Sequence, residues 1–272
     1  MILRMQNLST LLIRPDWPIH ANVRALMTTR QGGVSAAPWD SMNLGDHVGD
    51  SVADVQTNRE RLAAQIGRRS VFLQQVHGVV SVQLDASSPQ GLAADACWTM
   101  DSGVACTIMV ADCLPVLLCD ASGQWVAAAH AGWRGLAGPV VPATSKRQGV
   151  LETLWADLKR AGADLSDVMA WLGPCIGPQA FEVGPEVHAA FADGSPEVQK
   201  LFQPVANGKF ISDLAGLARV RLRALGITRV FGNDSSPPWC TVSDSALFFS
   251  HRRDSRSLGQ SGRMAACIWL DR

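Results

Sequence analysis

The chain has 272 residues, 47% of them hydrophobic and 18% charged, so it can bury a sizeable core, in one large domain or two small ones. Its 24 basic residues cancel its 24 acidic ones, which argues against a nucleic-acid surface, because such surfaces carry a basic excess or stripe. No run approaches the ~20 uninterrupted apolar residues of a membrane span. Residues 1–20 open with an apolar patch broken by Arg4, Gln6, Asn7 and Arg14. We read them as a peripheral segment rather than a secretory signal. Asn43 lies in a polar loop, Met-Asn-Leu-Gly-Asp-His-Val-Gly, leading to a helix that Asp50 is placed to cap. The apolar stripe of that helix is Val52, Val55, Leu62 and Ile66, and Gly67 ends it.

Strands are predicted at 71–76, 79–84, 104–110, 115–119, 124–129, 168–172, 229–231, 246–250 and 264–270. Residues 104–110, Val-Ala-Cys-Thr-Ile-Met-Val, are almost continuously apolar, the pattern of a strand buried on both faces. Asp120-Ala-Ser-Gly123 reads as a turn between antiparallel neighbours. Further helices are predicted at 150–161, at 185–192 with Pro185 in the first turn, and at 212–225 with a Ser212 cap. No polar linker, repeat or low-complexity stretch divides the chain, so we expect a single α+β domain with a mixed sheet and helices packed on it. The seven cysteines are odd in number and scattered through apolar segments, which indicates reduced thiols and a cytoplasmic protein.

Three segments end or interrupt strand-like runs: Gln74-Gln-Val-His-Gly78, Ala111-Asp-Cys113 and His130-Ala-Gly-Trp-Arg-Gly135. Each delivers one chemically capable side chain, His77, Cys113 or His130. Two imidazoles and a thiolate are a natural zinc set, and three protein ligands leave the fourth position open, as in catalytic sites. Their intervals match no zinc finger, and the chain has no C-x-x-C, so spacing alone equally allows an inert buried thiol and two strand-end histidines. Arg59 shares the stripe of the first helix. There it either meets a carboxylate, a carbonyl or an anionic ligand, or buries its stem and sends its head to solvent. Arg134 lies in a Gly-Trp-Arg-Gly turn whose glycines let backbone approach a ligand, while Trp133 either stacks on a base or seals the core. Asp112, beside Cys113, can accept a proton or hold a histidine in one tautomer. Glu182 and Cys175 occupy a glycine- and proline-rich loop of the kind that carries function, although Cys175 reads as structural. His251-Arg-Arg-Asp254 is either a small anion site or a solvated charge cluster.

Together with 42–59, Ala-Asp-Cys-Leu-Pro-Val-Leu-Leu, Gly-Pro-Cys-Ile-Gly-Pro-Gln-Ala-Phe-Glu-Val-Gly and the closing Phe-Phe-Ser-His-Arg-Arg-Asp, these segments resemble the laccase-domain family over nearly the whole chain. That family includes bacterial peptidoglycan editing factor and purine nucleoside phosphorylase-type enzymes. The resemblance implies a four-layer αββα sandwich over residues 1–272 and one zinc ion per chain on His77, Cys113 and His130. It also implies catalytic roles for those three and Asp112, and substrate contacts from Asn43, Arg59, Arg134 and Glu182. The implied activity is zinc-dependent phosphorolysis of inosine, adenosine, guanosine and methylthioadenosine, with adenosine deamination. The partners would then be small molecules, with neither nucleic acid nor membrane. Alternatives are an editing amidase that releases L-Ser from UDP-MurNAc-L-Ser and a non-enzymatic zinc-stabilised or nucleoside-binding protein. A multicopper centre is not expected: such an oxidase needs about ten histidines plus a cysteine, and the chain has six histidines.

Overall fold

The computed structural model describes residues 12–144, 146–192 and 194–272; residues 1–11 of the predicted peripheral segment lie outside the described residues. Eleven strands make two mixed sheets. Sheet I has the order β1 (Leu12–Ile13), β2 (Val23–Thr28), β11 (Met264–Leu270), β6 (Val104–Val110), β3 (Arg69–Phe72). Sheet II has the order β10 (Arg229–Gly232), β9 (Val168–Leu172), β7 (Leu114–Asp120), β8 (Val126–Ala131), β5 (Ala96–Thr99), β4 (Ser81–Gln83). Their centres are antiparallel, while β3–β6, β9–β10 and β4–β5 pair in parallel.

Strand alternation builds the layers. In β7, Leu117 and Cys119 point between the sheets and Val116 and Leu118 point outward; β6 likewise sends Cys106 and Ile108 inward and Ala105 and Met109 outward. Every residue of β6 and β7 is buried, as the continuous apolar runs predict. The outer face of sheet I is covered by α1 (Val52–Ile66) through Leu62 and Ile66. The outer face of sheet II is covered by α2 (Trp133–Ala137), α3 (Val150–Arg160), α4 (Pro185–Phe191) and α5 (Leu214–Ala224). The result is the expected αββα order.

Local chemistry explains where the sequence reading slipped. Ser51, not Asp50, caps α1, its hydroxyl accepting from the Asp54 amide, while Asp50 accepts from the Ser51 amide and from Asn43. Val52 is 80% exposed, so the buried stripe is Val55, Asn58, Leu62 and Ile66. Asp213, not Ser212, caps α5. The strand predicted at 246–250 is a loop running into α6 (His251–Leu258): Ser250 accepts from the Arg253 amide and its own amide donates to Asp254, so side chains replace a ladder partner. Strands β1, β2 and β5 and helix α2 are not among the predicted elements. Asp120 does close the β7–β8 turn, accepting from the amides of Gln124 and Trp125 while Gly123 adopts φ +67°.

Leu117 is fully buried between the sheets. Leu117→Ala is expected to cost about 2–5 kcal/mol of stability through lost burial and a cavity, read as a lowered urea midpoint at unchanged slope.

Candidate metal centre and active-site cleft

Strand β6 belongs to sheet I and β7 to sheet II, yet only Ala111, Asp112 and Cys113 join them. So short a crossing demands a sharp reversal, and Asp112 supplies it at φ +84°, a conformation unfavourable for a residue with a Cβ. The carboxylate of Asp112 is held in return, accepting from the Thr241 hydroxyl (2.5 Å), the Ser250 hydroxyl (3.1 Å) and the Arg252 amide (2.6 Å). The turn thus carries Cys113 at the seam of the sheets and ties it to the start of α6. Among the described residues the Asp112 carboxylate bonds to no histidine, so of the two roles expected for it, proton acceptor or tautomer setter, the second has no partner here; three donors from elsewhere occupy it.

His77 is not at the end of a strand: β3 stops at Phe72, and His77 projects from the loop that follows, at φ +59°. Gln75 fixes that loop by using its side-chain amide as a strand would use backbone, donating to the Met109 carbonyl and accepting from the Met109 amide, both at 2.8 Å. His130 is the penultimate residue of β8 and is buried, with Nδ1 2.8 Å from the carboxylate of Asp95. Glycines allow the segments to converge. A Cβ on Gly132 would lie 2.8 Å from the Cys113 Sγ and 3.0 Å from the His77 ring, and one on Gly135 would lie 2.7 Å from the Gly78 carbonyl.

The ligand atoms of His77, Cys113 and His130 all lie within 4.8 Å of one another, and His77 Nε2 is 3.6 Å from the Cys113 Sγ. Tetrahedral zinc with ordinary Zn–S and Zn–N bonds separates a sulfur from a nitrogen by about 3.6 Å. The donor set fits one such ion, with His77 exposed towards the cleft and His130 buried behind it. Burial opposes ionisation of Cys113, but His130 and His77 outweigh it and bring the thiol down to about 6. Burial likewise opposes the imidazolium of His130, yet Cys113 and Asp95 hold it up to about 9.

These residues floor a cleft of about 420 Å³. Arg134, Arg252 and Arg263 line its walls with His47, His251, Trp133 and Phe181. Arg134 stacks 4.4 Å over the Trp133 ring, and its guanidinium has no hydrogen-bond or ion-pair partner among the described residues. Among the described residues the Arg263 guanidinium donates only to the Ser261 and Gly262 carbonyls, and its stem crosses Gly45, where a Cβ would come within 2.8 Å. Three of the expected substrate contacts do not line the cleft. Arg59 donates to the Leu44 carbonyl, pairs with Asp46 at 3.1 Å and lies 4.1 Å over Phe72, so its core-facing charge is met by carbonyl and carboxylate. Asn43 is fully buried, donating to Gly45 and Asp50 and accepting from the Gly45 and Arg263 amides. Glu182 pairs with Lys209 at 2.7 Å in the open.

A family described as multi-copper polyphenol oxidoreductase laccase matches residues 24–271. This chain belongs to that family. Among its laccase-family relatives, a Pseudomonas aeruginosa protein named purine nucleoside phosphorylase is 51% identical over 95% of this chain and 98% of its own. An Escherichia coli protein of the same name is 42% identical over 95% and 98%. The crystal structure of a Neisseria meningitidis protein superposes with a TM-score of 0.84 at 44% identity, covering 96% of this chain and 99% of that one. YlmD from Geobacillus stearothermophilus gives 0.83 at 30% identity, covering 98% of each chain. The relatives' names indicate an enzyme acting on small molecules.

The laccase-family name speaks of several coppers, while the one ligand group of three or more side chains found among the described residues, His77, Cys113 and His130, suits a single ion. Two residues around the site have no strong signal in the sequence. Asp95 is a lone acid ahead of an apolar strand, and Arg263 is one basic residue in a polar loop. Arg252 and His251 belong to the charge cluster that reads either as a small anion site or as a solvated cluster, and both line the cleft.

Gly132→Ala is expected to leave the fold intact and weaken metal binding roughly tenfold or more by pushing Cys113 and His77 apart, measured by competition with a chelating dye. Between neutral pH and about 9, metal uptake must displace the His130 proton from an imidazolium facing a thiolate. Affinity is therefore expected to rise about tenfold per pH unit across that window and to level above it. Calorimetry in buffers of different ionisation enthalpy would count about one proton released per ion.

Proposed function

We propose that this chain is a zinc-dependent purine nucleoside phosphorylase of the cytoplasm, its whole length forming one catalytic domain. Its substrates are inosine, adenosine, guanosine and methylthioadenosine, and adenosine deamination is a second reaction of the same site. The observation that carries this reading is the pairing of an open His-Cys-His group with three arginines and a tryptophan around one cleft. The relatives' names support the reaction class. Seven free cysteines support the compartment.

Arg134, Arg252 and Arg263 bring positive charge to bear on inorganic phosphate, and the planar guanidinium of Arg134, with no hydrogen-bonding side chain among the described residues, suits two oxygens at once. Trp133 and Phe181 offer aromatic faces to a purine. Bound to His77, Cys113 and His130, zinc would supply Lewis-acid polarisation and charge stabilisation. In phosphorolysis a phosphate oxygen forms the bond to ribose C1′ as the bond from C1′ to the base nitrogen breaks. The electron pair stays on the base, which takes up a proton, giving ribose 1-phosphate and free base. In deamination water adds at C6 of adenosine and ammonia leaves. Holding phosphate beside the sugar converts a collision into a positioned encounter, which is the main contribution the arginines make.

Zinc-loaded protein given inosine should yield hypoxanthine and ribose 1-phosphate only when phosphate is present, resolved by chromatography. Inosine left intact in all conditions, with serine released from UDP-MurNAc-L-Ser instead, would replace this reading by the amidase one. Arg134→Gln is expected to raise KM for phosphate about tenfold or more, with little change in KM for inosine and no change in thermal stability.

A further inference from the structure

The two histidines of the metal group come from unrelated parts of the chain, one on a strained loop and one on a strand, yet both answer to the same buried carboxylate. Asp95 is fully buried just ahead of β5. Its Oδ1 lies 2.8 Å from Nδ1 of His130 and accepts the backbone amide of His77 at 2.9 Å. Its Oδ2 accepts the amides of Gly78 at 2.7 Å and Val76 at 3.2 Å. The main chain repeats the link: the Asp95 carbonyl accepts the His130 amide at 2.7 Å, and the Asp95 amide donates to the Val80 carbonyl, beyond the same loop. Four donors around one buried carboxylate fill its lone pairs, so its charge is compensated and its orientation fixed.

We propose that Asp95 is the positioning residue of the metal centre, a single carboxylate that sets the ring of His130 and the loop of His77 together. This rests on the metal reading of the site. Accepting at Nδ1 fixes the proton there and turns the lone pair of Nε2 towards Cys113 and His77. Accepting three successive amides curls residues 76–78 around the carboxylate and makes the left-handed backbone at His77 tolerable, so that its ring meets His130 edge-on at 4.7 Å. A carboxamide of the same shape cannot do both. It has one acceptor oxygen, and its NH2 would face amide donors on the other side.

The test uses zinc alone, then cobalt as a spectroscopic stand-in, on the full chain. Asp95→Asn is expected to weaken zinc binding roughly 10–100-fold and to shift the visible bands of the cobalt-loaded protein as the ligand geometry loosens. In the His130→Ala background the same substitution should cost clearly less, because one of the two ligands it positions is already gone. An equal loss in both backgrounds means a general structural role and overturns the proposal, as does unchanged affinity with an unchanged cobalt spectrum. Nitrogen NMR of the wild-type histidine rings covers the case in which Asp95→Asn does not fold. Metal on Nε2 of His130 with the Nδ1 proton retained is expected, and metal on Nδ1 overturns the proposal. Wild-type protein that takes up no zinc would sink the metal reading itself, a result distinct from any of these.

Discussion

The three residues between β6 and β7 set the terms for the rest of the molecule. They leave one sheet and enter the other, so the thiol of Cys113 sits where the two sheets part and the apolar filling between them gives way to a cleft. Such a crossing requires a residue at positive φ, and Asp112 accepts that conformation because its carboxylate gathers donors from Thr241, Ser250 and Arg252. The same bonds draw α6 to the rim and with it His251 and Arg252. One turn therefore fixes both the floor of the cleft and part of its cationic wall.

Strand runs such as 104–110 and 168–172 were legible because burial on both faces leaves an unmistakable apolar signature. The ligand trio was legible as chemistry and as a family pattern, but its geometry was not. His77 stands on a loop that the Gln75 and Asp95 side chains help to shape, and nothing local in the sequence announces such long-range side-chain pairing. Strand β5 was missed because its residues, Ala96 to Thr99, include little β-branched character and acquire strand geometry from β8 and β4 alongside. Arg59 shows the limit of periodicity as a guide to function. Its position left open an inward partner or a head in solvent, and helical spacing does not distinguish a carbonyl or carboxylate partner from a ligand.

The cleft divides its electrostatics. At the floor, the His130 imidazolium and the Cys113 thiolate compensate each other, and the negative charge of Asp95 is met by donors. On the walls Arg252 and Arg263 donate to carbonyls, which satisfy hydrogen bonds without cancelling charge, and Arg134 lies over the Trp133 ring. Positive potential is thus left on the side facing solvent, where an anion would enter, and the ligand group stays near neutrality. On the proposed reading, that arrangement would separate binding of an anion from stabilisation of a cation within one cavity.

Strand β11 lies between β2 and β6 in sheet I and follows both in the chain by well over a hundred residues. Until it arrives, β1–β2 and β3–β6 are two separate pairs with bare inner edges, and the face that sheet II must cover is incomplete. Growth from the N-terminus therefore cannot bank finished structure as it emerges from the ribosome; β2 waits for the C-terminal strand. Such a topology favours one late, cooperative closure over stepwise assembly, with exposed strand edges in the interval that make chaperone protection valuable.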